Sequence, residues 1–144
     1  MRAVAKLYTQ GGCYSSGCWV DSIKSWKSPV WVRSTWEQRM LAILDAHPEV
    51  YAIDVEPFSI KYKFEGATHR YIPDFLVDCI NSLRILIEVK PKELFSGPQS
   101  YARKNRAKIR ALEKFTLENG IVGQLISTEA ELVNMEDKFL LGGK

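Results

Sequence analysis

Two strand-forming segments of this chain carry charges where a packed sheet would take apolar side chains. They are Tyr71-Ile72-Pro73-Asp74-Phe75-Leu76-Val77 and Arg84-Ile85-Leu86-Ile87-Glu88-Val89-Lys90. Glu88 and Lys90 lie two apart, so both project from one strand face while Ile85, Ile87 and Val89 occupy the other. A charge at the end of an apolar strand is costly to bury unless it is paired or ligated. Asp74 follows a proline, which removes a ladder hydrogen bond and predicts an edge or a bulge that re-aims the next side chain. With the two strands paired as hairpin neighbours, Asp74 and Glu88 approach across the ladder. Side-by-side carboxylates repel unless a proton or cation intervenes. A hard divalent ion such as Mg²⁺ takes carboxylate and carbonyl oxygens, and the Val89 carbonyl lies between Glu88 and Lys90. Lys90 is then placed to orient or deprotonate a water beside the ion, while the ion polarises a phosphate.

The elements around this pair follow from periodicity and caps. Ser34-Thr35-Trp36-Glu37 has the form of a capping box, and Met40, Leu41, Ile43 and Leu44 continue at helical spacing until His47-Pro48 ends the helix. Glu37 has two readings. It is the N3 member of the cap, and with Leu41 and Leu44 it falls on the core-facing stripe, where an acid points toward the sheet and helps bind the ion. Val50 to Val55 reads as a short strand, and Phe58 to Phe64 alternates with a period of two. Glu65-Gly66 turns the chain, His69 to Val77 returns as a hairpin partner, and Leu83 to Lys90 follows after Asn81-Ser82. Tyr101 to Leu117 reads as a helix with Ile109, Leu112 and Phe115 inward and its basic residues mostly outward, closed by Asn119-Gly120. Ile121 to Ile126 is an apolar strand, parallel to Leu83–Lys90 through a crossover, and Thr128-Glu129-Ala130-Glu131 opens a terminal helix. The order is α-β-β-β-α-β, a mixed sheet flanked by helices. His69 is expected to play a structural role, and Trp36, Phe58, Tyr62 and Phe75 to be core residues.

A length of 144 residues suits one compact core, here residues 33–144. Residues 1–32, with Gly11-Gly12, Ser15-Ser16-Gly17 and three tryptophans but no sustained period, read as an N-terminal arm whose aromatics pack on its own domain, a partner chain or DNA. No run approaches the roughly 18 apolar residues of a membrane span, and the N-terminus lacks a secretory apolar stretch. Three cysteines argue against a secreted disulfide scaffold and fit a cytoplasmic protein, while Cys13 and Cys18 lack the second pair a zinc site needs. The net charge is +3, but residues 1–33 carry +4 and residues 101–114 carry +5. Two basic segments on an acidic body suggest nucleic acid as the partner. Arg33, Arg103, Lys104 and Lys108 are the candidate DNA contacts.

Pro73-Asp74, Glu88-Val89-Lys90 and an upstream helical Glu37 resemble the PD-(D/E)XK nuclease superfamily. Arg33-Ser34-x-x-Glu37, Tyr71-x-Pro73-Asp74-Phe75 and Glu88-Val89-Lys90-Pro91 more narrowly resemble the TnsA-like endonuclease domain of transposition systems, over about residues 33–127. The head-completion proteins of tailed phages, with a similar nuclease-like core, are also similar. The resemblance implies a restriction-endonuclease-like α/β fold and a Mg²⁺-dependent deoxyribonuclease in which Mn²⁺ substitutes. Asp74 and Glu88 would hold the metal, Glu37 would support it, and Lys90 would assist the nucleophilic water. It also implies a bacterial cytoplasmic setting with a recombination partner, or a virion setting with a phage portal or head protein. Trimming of DNA ends during head completion is the alternative activity, and a non-catalytic DNA-binding module is the other.

Overall fold

The segments that alternate or run apolar in sequence assemble into a four-stranded mixed sheet with helices on both faces. The computed structural model describes residues 17–135. β1 (Cys18–Val20) and β2 (Val30–Val32) pair as an antiparallel hairpin and lead into α1 (Thr35–Ala46). Five strands follow: β3 (Val50–Val55), β4 (Ile60–Phe64), β5 (Ala67–Tyr71), β6 (Phe75–Cys79) and β7 (Arg84–Val89). A 3₁₀ turn at Lys92–Leu94 precedes α2 (Ser100–Asn119), β8 (Val122–Ile126) and α3 (Glu129–Val133). The main sheet has the order β3-β6-β7-β8, antiparallel except for the parallel β7–β8 pair that flanks α2 in sequence. This is the restriction-endonuclease-like α/β arrangement. Among the described residues no helix is long and apolar enough to cross a membrane.

Strand alternation sends the two faces of the sheet to two cores. Phe75, Val77, Ile85, Ile87 and Val89 pack with Met40, Leu41 and Leu44 of α1. Leu76 and Leu86 face the other way, toward Ala107 and Leu112 of α2 and toward Ile60, Tyr62 and Tyr71 of the β4–β5 hairpin. Helix ends follow their cap residues. Ser34 accepts from the Glu37 N–H, Gly120 closes α2 in the left-handed conformation at φ 65°, and Thr128 and Glu131 form a complete capping box.

Three expectations change. The single strand over His69–Val77 is two strands in different sheets, β5 pairing with β4 and β6 with β3 and β7. The break falls at Ile72-Pro73-Asp74, where proline cannot continue a ladder. Pro73 therefore marks neither an edge strand nor an isolated bulge, but the handover to a central strand. Part of the expected arm lies outside the described residues, and its described part is the β1–β2 hairpin. There Val20, Val30 and Val32, not the tryptophans, enter the α1-side core, whereas Trp19 and Trp26 are 63% and 78% exposed. His47, at the α1 C-terminus, is buried rather than a bare stop signal. His69 is half-buried and stacks on Tyr62 at 5.4 Å, the structural role expected of it.

The hairpin's place in the core has a measurable cost. Val32→Ala should destabilise the protein by about 1.5–3 kcal/mol in urea unfolding, from lost apolar burial plus the cavity left behind. A change within about 0.5 kcal/mol, the size of a surface effect, would show that the hairpin is peripheral to the domain.

Candidate active site

Asp74 owes its position to Pro73. Regular pairing of β6 with β7 starts at Phe75, opposite Ile87. One residue earlier, the Asp74 N–H still donates to the Ile87 carbonyl at 3.1 Å, and its own carbonyl accepts from the Glu56 N–H at 2.9 Å. The side chain then takes over from the backbone, and Asp74 Oδ2 accepts the Val89 N–H at 2.7 Å. The carboxylate is thus pinned to β7 one residue beyond Glu88.

Glu88 lies on the α2-facing side of the sheet and is 5% exposed. Its Oε2 is 3.9 Å from Lys90 Nζ, a long ion pair, and its Oε1 is buried with no hydrogen-bond partner. A buried carboxylate oxygen without a donor is expensive, so something must compensate it in the working protein. Glu37 enters from the N-terminus of α1, where it belongs to the helix cap and faces Asp74. Its N–H donates to Ser34 Oγ at 3.1 Å, while its Oε1 accepts the Arg33 N–H at 2.7 Å instead of the Ser34 N–H of a regular capping box. Its carboxyl also faces that of Asp74 and helps raise it.

The electrostatics follow from crowding three acids together, Glu88 buried and Asp74 and Glu37 half-buried. Burial raises the Asp74 carboxyl well above the usual carboxylate range; the Glu88 and Glu37 charges push it the same way, and the Val89 N–H opposes them. Burial pushes Glu88 up to about 7, with Lys90 pulling it down, Glu37 pushing it up and Lys108 pulling it down.

Lys108 therefore belongs to this corner. It is half-buried, and burial followed by the Lys90 charge lowers its ammonium, with Glu88 acting in the opposite sense. α2 brings the Lys108 charge within electrostatic reach of Glu88, in addition to its place on the basic helix. Lys104, one turn earlier, is half-buried and adds its charge to that of Lys108. Arg33 stays near the site through Glu37, with its Nε 3.1 Å from Glu56 Oε2. Arg103 is held elsewhere, by Glu65 in the β4–β5 turn at 2.7 Å and by the Pro98 carbonyl.

Tyr71 was not foreseen as a site residue. Its hydroxyl is buried without a partner, and burial followed by the Glu88 and Asp74 charges raises the phenol. The available signal was its position three residues before Asp74, where a fully apolar ring would have served the core equally well.

Among the described residues no group of three or more His, Cys, Asp or Glu side chains is arranged to hold a metal ion. The donors present are the oxygens of Asp74 and Glu88, one of them orphaned, beside acids that repel one another. That set suits a hard divalent cation, which is commonly held by one or two carboxylates, waters and substrate phosphate.

The crowding makes stability depend on pH with a definite sign. Glu88 takes up a proton more readily folded than unfolded, so its contribution falls as pH rises from about 4 toward 7 and stays lost above. Glu88→Gln should therefore raise Tm in chelator at about pH 8, and by much less at about pH 4.5. Equal Tm values for the two proteins at both pH values would contradict the burial of an uncompensated charge.

Comparison with known proteins matches residues 47–127 to the family model for the TnsA-like endonuclease N terminal domain. The match runs from just before β3 to just after β8 and contains Asp74, Glu88, Lys90 and Lys108, whereas Glu37 and α1 lie upstream of it. No curated protein matches the chain. With more than half of its length under that model, the chain belongs to the TnsA-like endonuclease N-terminal family.

Proposed function

We propose that this protein is a metal-dependent DNA endonuclease that hydrolyses phosphodiester bonds at the Asp74–Glu88–Lys90 corner, with Mg²⁺ as its cofactor and Mn²⁺ as a substitute. The observation that carries the reading is the buried, partnerless Glu88 Oε1 beside Asp74, whose carboxyl burial and two neighbouring acids raise well above the usual carboxylate range. A fold does not maintain that arrangement for packing, since apolar residues of similar volume would be cheaper. Family membership supports nuclease chemistry, and the chemistry of the donors supports the cation.

Asp74 and Glu88 would hold the ion, with the Val89 carbonyl as the backbone oxygen between Glu88 and Lys90. When bound, the ion polarises a phosphate oxygen and makes a neighbouring water more acidic. The rest falls to the chain. The Val89 N–H locks the Asp74 carboxylate in one rotamer by occupying Oδ2. Glu37 steadies Asp74 from the far side and is itself fixed by the Arg33 N–H. Lys90, half-buried beside Glu88, orients the attacking water and faces the negative charge carried by the phosphoryl oxygens. As the water oxygen bonds to phosphorus it releases a proton to solvent, the phosphorus–oxygen ester bond breaks, and the departing oxygen takes up a proton from solvent. Lys108 supplies a second cation on the substrate side, against a phosphate. A purely DNA-binding module would explain the basic residues but leave the buried carboxylates without purpose.

Supercoiled plasmid incubated with Mg²⁺ or Mn²⁺ should be nicked by the wild type and left intact by Asp74→Asn and Glu88→Gln. Lys90→Ala should slow nicking by roughly 10²-fold or more, in the range of a lost electrostatic or acid–base group, while calorimetric Mn²⁺ affinity persists. Near-wild-type nicking by either carboxylate variant would end the proposal. Tyr71→Phe removes only an unpartnered hydroxyl, so its Tm should hold or rise. A fall of several degrees would mean that the hydroxyl has a structural partner.

A further inference from the structure

A second feature lies on the same side of the main sheet as Glu88 and has no part in the carboxylate corner. It is an open groove of about 760 Å³ between β4 and α2. Lys61 and Lys63 stand on the β4 wall, Arg110 and Lys114 on the α2 wall. All four are exposed, and none makes a hydrogen bond or ion pair among the described residues. Four arginines outside the groove are ion-paired: Arg33 with Glu56, Arg39 with Glu129, Arg84 with Asp78 and Arg103 with Glu65. Among the described residues the groove is lined by a single acid, Glu118. We propose that this groove is a phosphate-backbone track that seats duplex DNA to one side of the bond being cut, an inference that rests on the endonuclease reading.

Three observations select this occupant. First, concentrated uncompensated cations attract a polyanion and release its counterions. Second, Ala107 and Ala111 line the groove while Lys108, between them on α2, acts electrostatically on Glu88, so one helix borders both places. From Lys108 to Lys114 is about 9 Å along the helix axis, roughly the rise of two to three nucleotides of one strand. Third, neither ring that lines the groove is free to stack on a base. Tyr62 is 6% exposed, and Phe115 packs against Phe58 at 5.1 Å. Backbone contact without stacking is the mode of duplex binding that is indifferent to sequence, and it differs from the aromatic platforms of single-strand binders. Lysines on an edge strand also discourage edge-to-edge pairing. That accounts for Lys61 and Lys63, but not for Arg110 and Lys114 opposite them.

The test measures the affinity of the full chain for a fluorescent duplex in EDTA, so that cutting does not intervene, across a range of salt. Lys61→Ala with Lys63→Ala and Arg110→Ala with Lys114→Ala form two double variants, each checked for wild-type Tm and circular dichroism. Each should reduce the slope of log affinity against log salt by between one and two units, and the quadruple variant by roughly three. Duplexes of unrelated sequence should behave alike. A folded quadruple variant with an unchanged slope overturns the groove, as does a wild type that binds single strands much more tightly than duplex. Plasmid nicking by the wild type in Mn²⁺ is scored separately, so loss of the groove leaves the nuclease reading standing. Absence of nicking with normal salt-dependent binding does the reverse.

Discussion

The 2.7 Å hydrogen bond from the Val89 N–H to Asp74 Oδ2 is the contact on which the candidate site turns. It replaces a rung of backbone ladder at the point where proline has removed one, and so joins two central strands through a side chain. Because the strand before Pro73 belongs to the β4–β5 hairpin and the strand after it to the main sheet, the carboxylate sits at the seam between the two. Moving Asp74 by one residue would turn it to the other face of β6, into the Met40–Leu41–Leu44 core. Register, fold and site geometry are therefore one constraint.

That constraint has an electrostatic consequence. Three acids converge where water is scarce, and the cations available, Lys90 and Lys108, compensate only in part. The 3.9 Å separation of Lys90 from Glu88 is too long for a hydrogen bond, and Glu88 Oε1 has no partner at all. The rest of the domain supplies the stability that this corner forgoes. Phe75, Ile87 and Leu86, each no more than 1% exposed, surround it on both faces of the sheet. Asn105 and Arg106 of α2 bind the carbonyls of Leu94 and Gly97, at 2.7 and 3.0 Å, and so fix the loop that leaves the site. Local strain in a stiff surround is how reactive groups are kept ready to meet a ligand.

Much of this was legible in the chain, because the pattern that builds the strands is local. The alternation in β4, the capping residues Ser34 and Thr128, and Glu88 and Lys90 on one face of β7 all follow from periods of two or from a single cap. The corner itself was legible because a charge inside an apolar run has few inexpensive explanations. What was hidden depended on contacts distant in sequence. Nothing local distinguishes Lys108 from Lys104 or Arg110 on a basic helix; only the docking angle of α2 sends Lys108 to Glu88. Ile72-Pro73 looked like a defect in one strand because the second sheet that receives β5 is invisible in periodicity. The β1–β2 hairpin was read as an arm because its three-residue strands are too short to establish a period, while its conspicuous tryptophans stay outside. Nothing local marks the place of Tyr71, since burial without a hydroxyl partner cannot be seen in a sequence.

The placement of the cations on α2 gives the proposed reaction a direction. Lys108 acts on Glu88, and Arg110 and Lys114 lie beyond it toward the C-terminus of the helix, so DNA seated in the proposed groove would extend mainly to one side of the corner. The opposite flank carries Arg33, already engaged by Glu56, and the β1–β2 hairpin with its exposed Trp19 and Trp26. A duplex is nearly symmetric about its local twofold axis, but this surface is not. One carboxylate corner reaches one strand in one orientation, and the second strand presents its phosphate with opposite polarity. Cutting both strands then requires a second copy turned about that axis, or release and rebinding of the nicked product. On this geometry the natural unit of work for a single chain is a nick.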